Sequence, residues 1–585
     1  MTEQVSDAKI QKVKPNIKKR ILPTILIAFV IPFLLCFSVP FEIYGNNVDE
    51  LLFTASSFIW VLILFVLLLT LVFFFAILFL PKRAYRITSA VVVSLGFMLF
   101  LQGTYLNGAM SSLAGDNLGV AKISVGKQIF NLSIWILVIA LAVVLAILKD
   151  KKGIISMSAV VVSIIVVATQ IMTPVSIALT NKKIFLNLEE RLKLKYENSE
   201  HSIATNKNLT NISKSNNIFY FCIDRFDEDY AEDALEKYPE IYNELTGFTW
   251  FQDNISIYGH TYPATTQMLT GKDLSAQTLR EDYLKEAYSE NKTLSVLAEK
   301  GYQINLHTQN YYSYVDASHL PEYVSNSAKA ETYRVKNKFS LAVKMVEMSL
   351  FRCVPLVLKK VFGDVNSSAC NELVEEKDAD GNEKYSLDMK KVYDFVSNEG
   401  FKSVDDKVFN FLHLEGCHQV VYNENWKKTI GGDITVTVKS SFDIIDKYLK
   451  AMKDAGVYDD ATIVITGDHG SPDDDFEELS KPTLTALFVK PAGSTNDKLK
   501  ISKAQTSHDN IWATILQSES IISDDSYGKA VFEISETEDQ TRRYVWHTYA
   551  NPLDEYVYEI KGDGRVFENW VVKKHNHFDD RFIMD

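Results

Sequence analysis

Five stretches, residues 21–43, 51–80, 87–106, 130–148 and 154–178, are nearly free of charge, and each carries about the ~20 apolar residues a helix needs to cross a hydrocarbon layer. In lipid every backbone polar group must be satisfied within its own segment, so the five runs read as membrane-spanning helices. The first run is followed by Tyr44-Gly45-Asn46-Asn47 with no small-x-small cleavage pattern, which makes it a span and not a removable leader. Basic residues set an expected orientation. Lys9, Lys12, Lys14, Lys18, Lys19 and Arg20 precede the first run, Lys82, Arg83 and Arg86 join the second to the third, and Lys149, Lys151 and Lys152 join the fourth to the fifth. Only Lys122 and Lys127 lie between the third and fourth. A cytoplasmic N-terminus in the cell membrane, with everything after residue 180 extracytoplasmic, follows from that asymmetry.

The 47% apolar share averages two unlike parts. The expected organisation is a cytoplasmic tail at 1–20, a five-helix membrane domain at 21–180, a linker helix and loop at 181–215, an α/β domain at 216–520 and a strand-rich appendage at 521–585. Around Asn181–Leu192, apolar side chains at helical spacing fit either an amphipathic helix on the outer leaflet or a linker helix packed against the soluble domain. A net charge of −13 argues against nucleic acid as a partner. The spans show no buried ionisable pathway of a channel or transporter. Five cysteines make no disulfide framework, although Cys353 and Cys370 are left open as a pair.

After Asn217 short apolar runs alternate with helical patterns. Residues 218–223, 302–306, 408–412, 461–466 and 484–489 read as strands, and 293–300 and 438–455 as helices. That alternation implies a largely parallel central sheet with helices on both faces, whose ligand sites lie beyond the carboxyl ends of the strands. Asp224, His307, His413 and Gly467-Asp468-His469-Gly470 all fall at such ends. Asp378-Ala379-Asp380-Gly381-Asn382 lacks the spacing and terminal Glu of an EF-hand and reads as a solvated turn. Tyr544 to Trp570 alternates around Gly562-Asp563-Gly564 as a small antiparallel part.

Thr261 precedes Pro263, which fixes one backbone angle, and Thr265 to Leu269 offers a short helical turn that closes at Gly271. A threonine hydroxyl is inert at neutral pH unless a base or a metal activates it. Asp224, Asp468 and His469 supply the donors of a hard-to-borderline divalent site, Mn²⁺ or Zn²⁺, with Thr261 as fourth ligand. Taken singly, Asp224 reads equally well as a helix N-cap.

Together, Thr261-x-Pro-x-x-x-x-Met-Leu-Thr-Gly, the strand ending in Asp224 and Thr466-Gly-Asp-His-Gly resemble the alkaline-phosphatase-like superfamily in its sulfatase-like branch. Behind five spans, such a domain is most similar to the membrane phosphoglycerol and phosphoethanolamine transferases, lipoteichoic acid synthases among them. The resemblance implies Thr261 as nucleophile, and Asp224, Thr261, Asp468 and His469 as ligands of one divalent metal. It further implies His418, in His413-Leu414-Glu415-Gly416-Cys417-His418, as a catalytic proton carrier or phosphate binder, and His307 and His413 as substrate-side residues. The helix from His508 to Leu516 resembles an architectural element of the superfamily. The expected reaction transfers a phosphoryl-alcohol group from a membrane phospholipid or lipid-linked donor to an envelope polymer or glycan through a phosphothreonine. Alternatives are a phosphate or sulfate ester hydrolase of the same fold and a non-catalytic binding module on a membrane anchor. Two departures matter. Thr261 and Thr265 stand where type I sulfatases carry Cys or Ser and Arg, against that route to sulfate hydrolysis, and Ser471 to Lys481 lacks the further histidine usual in the phosphoethanolamine enzymes.

Overall fold

The computed structural model describes residues 17–107, 124–148, 154–195, 201–274, 278–310, 312–362, 365, 367–418, 421–429, 432–473, 477–495, 498–522, 527–548 and 553–578. Lys9, Lys12, Lys14, Lys122, Lys149, Lys151 and Lys152, which entered the orientation reading, lie outside them. The chain divides into two compact units, one of Met1–Ser199 with Thr332–Glu376, the other of Glu200–Glu331 with Lys377–Asp585.

The first unit holds five helices long and apolar enough to cross a membrane: α1 (Ile17–Asn46), α2 (Ile59–Leu78), α3 (Lys82–Leu106), α4 (Val125–Ile147) and α5 (Met157–Thr180). Helix α1 contains a π-turn over Leu34–Ser38, just after Pro32 interrupts its hydrogen bonding. Trp60, Leu67 and Phe75 of α2 and Phe130 of α4 stand exposed, an apolar surface that requires lipid. The segment Leu188–Lys195 is a packed helix: Arg191, buried, donates to the carbonyls of Val48, Leu51 and Phe53. The helix is packed, but its partner is the unit of apolar helices where the soluble domain was expected, because a guanidinium spent on the carbonyls of Val48, Leu51 and Phe53 anchors it to that bundle. The reading of the spans as free of buried charge needs correction at Glu42, which lies in α1 and pairs with Arg352 at 2.7 Å. Arg352 arrives from Thr332–Glu376, a segment within the range expected of the α/β domain. Cys353 and Cys370 are buried and free, so they do not pair.

The second unit is built on a seven-stranded sheet. Its strands are β1 (Asn217–Ile223), β2 (Thr249–Ile255), β3 (Tyr302–His307), β4 (Lys407–Leu414), β5 (Thr462–Gly467), β6 (Leu487–Lys490) and β7 (Lys500–Ser507). The spatial order is β7-β2-β6-β5-β1-β4-β3, and only β6 runs against the rest. Every residue of β1 is buried, as an apolar strand between two covered faces must be. Its side chains alternate between two cores: Phe219, Phe221 and Ile223 pack with Phe442 and Tyr448 of the helix Ile434–Asp454, while Ile218, Tyr220 and Cys222 join the core of the helix Ile511–Ser518. Strands β2 and β7 escaped the sequence reading because Gln252-Asp253-Asn254 and Lys500 to Gln505 break the apolar runs. Strands β8 (Thr541–His547), β9 (Leu553–Lys561) and β10 (Trp570–Phe578) form the antiparallel C-terminal sheet. It is integral to this unit, since Tyr544 and Trp546 share a core with Ile255 and Leu484.

Candidate active site

Strands β1, β4 and β5 are adjacent and parallel, so their carboxyl ends emerge side by side. His413 is the penultimate residue of β4, Asp224 follows β1 and Asp468 follows β5. Each of the three offers a ligand atom within 4.8 Å of the other two, and all three side chains are buried. The turn after β4 is clamped onto β1: Asp224 N–H donates to the Leu414 carbonyl at 3.0 Å, and Cys417 N–H donates to the Asp224 carbonyl at 2.8 Å. Gly416 makes the clamp possible. Its φ is +54°, and a Cβ there would meet the Asp224 backbone at 2.7 Å.

Asp224 Oδ1, His413 Nε2 and Asp468 Oδ2 are buried without a hydrogen-bond partner. Three orphaned polar atoms facing one another at a strand terminus are costly unless a ligand joins them. Burial raises the Asp224 carboxyl, but its electrostatic interaction with His418, then its short-range polar and electrostatic interaction with His413 and its interaction with His469, outweigh that and hold the pKa below the usual carboxylate value. Asp468 is aimed by its other oxygen, which accepts from the backbone N–H of Arg225 and of His469, each at 2.8 Å. Arg225 takes a left-handed φ of +56° to make that contact.

Thr261 opens the helix Thr261–Thr270, which ends at Gly271 with φ +70° and is buried at every position. The helix begins at Thr261, ahead of the expected turn, because Pro263 in its first turn lacks only an N–H that has no intrahelical acceptor there. Thr261 Oγ1 lies 3.4 Å from His469 Nε2. His469 Nδ1 is 2.7 Å from the Gly470 carbonyl, which can only accept, so Nδ1 carries the hydrogen and Nε2 presents a lone pair to Thr261. Nε2 is also 3.6 Å from Asp468 Oδ2. The site residues expected from sequence thus fall into a cluster, Asp224, His413 and Asp468, and a pair, Thr261 and His469. His418 is half-buried in the turn after β4. His307 ends β3 in register with Leu412, its hydrogen bond goes to Asn326 and its ring packs on Tyr385; burial pulls its pKa down to about 3.

The structure adds residues that motif reading passed over. His260, immediately before Thr261, stacks on Trp546 at 4.6 Å and bonds the His547 carbonyl at 2.5 Å. Tyr258 bridges to Val545, so strand β8 braces the entry to the Thr261 helix. His508 lies against Thr466 at 3.3 Å, and burial together with His469 lowers it to about 3. The only sequence signal for this bracing was the position of His260 beside Thr261.

Comparison with known proteins fits this arrangement. A family model described as Sulfatase matches residues 216–518. No curated protein matches the chain. Among solved structures, the chain is similar to the lipoteichoic acid synthase LtaP from Listeria monocytogenes, at 14% identity and TM-score 0.33 over 62% of this chain and 85% of that one. It is also similar to the phosphonate monoester hydrolase SpPMH from Silicibacter pomeroyi, at 13% identity and TM-score 0.35 over 63% and 90%. A third is the PsFucS1 sulfatase from Pseudoalteromonas sp., at 10% and 0.34 over 66% and 83%. None of these likenesses bears on substrate. The family match spans more than half of the chain and contains every residue of the cluster and the pair, and the chain belongs to the Sulfatase family.

Proposed function

We propose that the protein is a membrane-anchored, metal-dependent transferase that moves a phosphoryl-alcohol group, of the phosphoglycerol or phosphoethanolamine type, from a lipid donor to an acceptor outside the cell. The observation that carries this reading is Thr261, a plain alcohol at a helix N-terminus 3.4 Å from a histidine lone pair, in the place where a formylglycine-dependent sulfatase needs Cys or Ser. The orphaned atoms of Asp224, His413 and Asp468 fit a single divalent cation, Mn²⁺ or Zn²⁺, which these residues and His469 would hold beside Thr261. Such a cation supplies Lewis-acid stabilisation of an alkoxide and of charge developing on phosphate oxygens.

The remaining chemistry belongs to the chain. The Thr261 hydroxyl gives its proton to solvent, and Oγ bonds to the phosphorus of a phosphodiester donor as the bond from phosphorus to the lipid alcohol breaks, which leaves a phosphothreonine diester. His418 gives the departing alkoxide its proton. An acceptor hydroxyl on an envelope polymer or glycan then bonds to the phosphorus, Thr261 leaves and is reprotonated, and the acceptor proton goes to His418. His307, at the end of the neighbouring strand β3, stands on the substrate side of this reading. In this reading the five apolar helices anchor the chain in the membrane that holds the donor, with the N-terminus cytoplasmic and the second unit outside.

Intact-mass analysis tests it directly. The full chain in detergent, incubated with mixed membrane phospholipids and Mn²⁺ or Zn²⁺, is expected to gain one phosphoryl-alcohol mass that maps to Thr261 and is absent from Thr261→Ala. Turnover of a phospholipid donor by Thr261→Ala at the wild-type rate rules the mechanism out. Release of the head group to water, unchanged by added acceptor, would make the enzyme a hydrolase.

A further inference from the structure

Between Glu331 and Lys377 the chain leaves the α/β unit, and Thr332–Glu376 belongs to the compact unit of apolar helices. Its main helix, Lys338–Cys353, has three faces. Leu341, Met345, Met348 and Phe351 are buried in the core shared with the apolar helices. Phe339, Val343, Val346 and Leu350 recur at helical spacing and form a second apolar stripe, on which Phe339 is 59% exposed. Ser340, Lys344 and Glu347 make a narrow polar edge, where Lys344 and Glu347 pair at 2.7 Å. A helix in water needs one apolar face; this one has two, separated by a polar strip.

Its depth can be read from its partners. The helix touches α1 from Leu34 to Asn46, the end of α3 at Gln102–Leu106, and α2. The Phe339 ring meets Phe65 edge-on at 5.5 Å, and Phe65 lies about 9 Å along α2 from Ile59 at 1.5 Å per residue. Beyond Cys353 the chain turns through Leu356–Val361, a 3₁₀ segment in which Leu358 and Val361 are exposed. The Leu356 N–H donates to Asn131 Oδ1 at 3.1 Å, and Asn131 is again about 9 Å into α4 from Val125. Irregular backbone at that depth is tolerated only if protein satisfies its polar groups. Here it does: the Arg352 carbonyl accepts from Asn107 at 3.1 Å and from Lys359 at 3.2 Å, and the Phe351 carbonyl accepts from Lys359. Arg352 itself is spent on Glu42 and on the Gly103 carbonyl.

From these contacts we infer that Lys338–Val361 is a re-entrant membrane element, one that enters the leaflet at the ends of the apolar helices, faces lipid acyl chains and turns back without crossing. Acyl chains are the occupant because Phe339 of the stripe meets Phe65 of α2, a helix that itself exposes Trp60, Leu64, Leu67 and Phe75. The inference rests on the reading of α1 to α5 as membrane spans. All five native cysteines are buried, so single introduced cysteines can carry a nitroxide, with the unmodified chain as labelling control. The test is made on the full chain in lipid nanodiscs, by power-saturation EPR with oxygen and a water-soluble nickel complex. Val343→Cys and Val361→Cys are expected to favour oxygen, as Leu68→Cys in α2 does, while Lys344→Cys and Glu347→Cys favour nickel, a change of sign in the log accessibility ratio within one helical turn. Nickel preference at 343 and 361 beside oxygen preference at 68 overturns the inference and leaves the spans standing. Exclusion of both probes at 343 and 361 means that protein covers the stripe and also overturns it. Nickel preference at 68 as well removes the membrane reading itself.

Discussion

Each unit of the protein buries one polar cluster, and the two clusters are finished differently. In the helical unit Gln102 donates to Asn107 and accepts from Asn131 and Trp135, Asn107 donates to the Arg352 carbonyl, and Arg352 pairs with Glu42. Of the side-chain polar atoms in those contacts, Arg352 Nη1 is left over. In the α/β unit, Asp224, His413 and Asp468 each leave an inward-facing atom unmatched. A cluster that closes on itself holds helices in place. A cluster with spare donor atoms and convergent geometry is built around something else.

The sharpest way to break this contrast is to neutralise one member of each cluster. Asp224→Asn is expected to lower turnover by about 10³-fold or more, as loss of an interaction made in the transition state does. It should lower the thermal midpoint of metal-free protein only slightly, because the charge it removes is buried but already offset by the neighbouring histidines that hold the Asp224 pKa low. A large loss of midpoint in chelator-treated Asp224→Asn would mean that this cluster, too, is structural. Arg352→Met should do the reverse and destabilise the helical unit by about 1–3 kcal/mol, by removing the buried guanidinium's hydrogen bonds and leaving half-buried Glu42 unpaired. Adding Glu42→Gln should recover part of that loss; thermal unfolding of detergent-solubilised protein reads both.

The same contrast explains what was legible in the sequence. Apolar runs of membrane length and strands ending in Asp224, His413 and Asp468 are local patterns, and they led to the helices, the parallel sheet and the strand-end position of the site. Partnership across the fold is not local. Nothing near Arg352 announces Glu42, 310 residues earlier. That His413, expected on the substrate side, stands within ligand distance of Asp224 and Asp468 depends on the order of β1, β4 and β5 in the sheet, which the spacing of the motifs does not encode. Likewise, β8 read as part of an appendage until its pairing with Tyr258 put Trp546 behind His260.

A smaller effect is expected where backbone shapes the open cluster. Gly416→Ala forces a Cβ against the Asp224 backbone at a positive φ, so Asp224 must shift by a few tenths of an ångström. About 1–3 kcal/mol of stability should go with strain of that kind. If the cluster binds metal through Asp224, metal affinity should fall about tenfold or more as well. Isothermal titration with Mn²⁺ and Zn²⁺ separates the two effects: lost stability with unchanged affinity would take Asp224 out of the ligand set.

Asp446 probes whether an orphaned atom is by itself a mark of function. Its Oδ1 is also buried and unpartnered, but it stands alone on the helix Ile434–Asp454 with no second ligand facing it. Burial, reinforced by Glu244 and Asp443, pushes its pKa up to about 7, so it resolves its isolation by holding a proton. A carboxyl near 4 in the unfolded chain and near 7 in the fold binds more protons when folded. Its stabilising contribution is therefore complete below about pH 4 and lost as pH rises through about 7. Discounted for the partial exposure of the side chain, the loss is about 1–2 kcal/mol. Asp446→Asn should flatten the decline in thermal midpoint between pH 5 and pH 8 by roughly that amount and leave Mn²⁺ or Zn²⁺ binding untouched. If metal affinity changes with it, unmatched buried atoms in this unit are coupled to one another, and the cluster at the strand ends is not the self-contained site that its geometry describes.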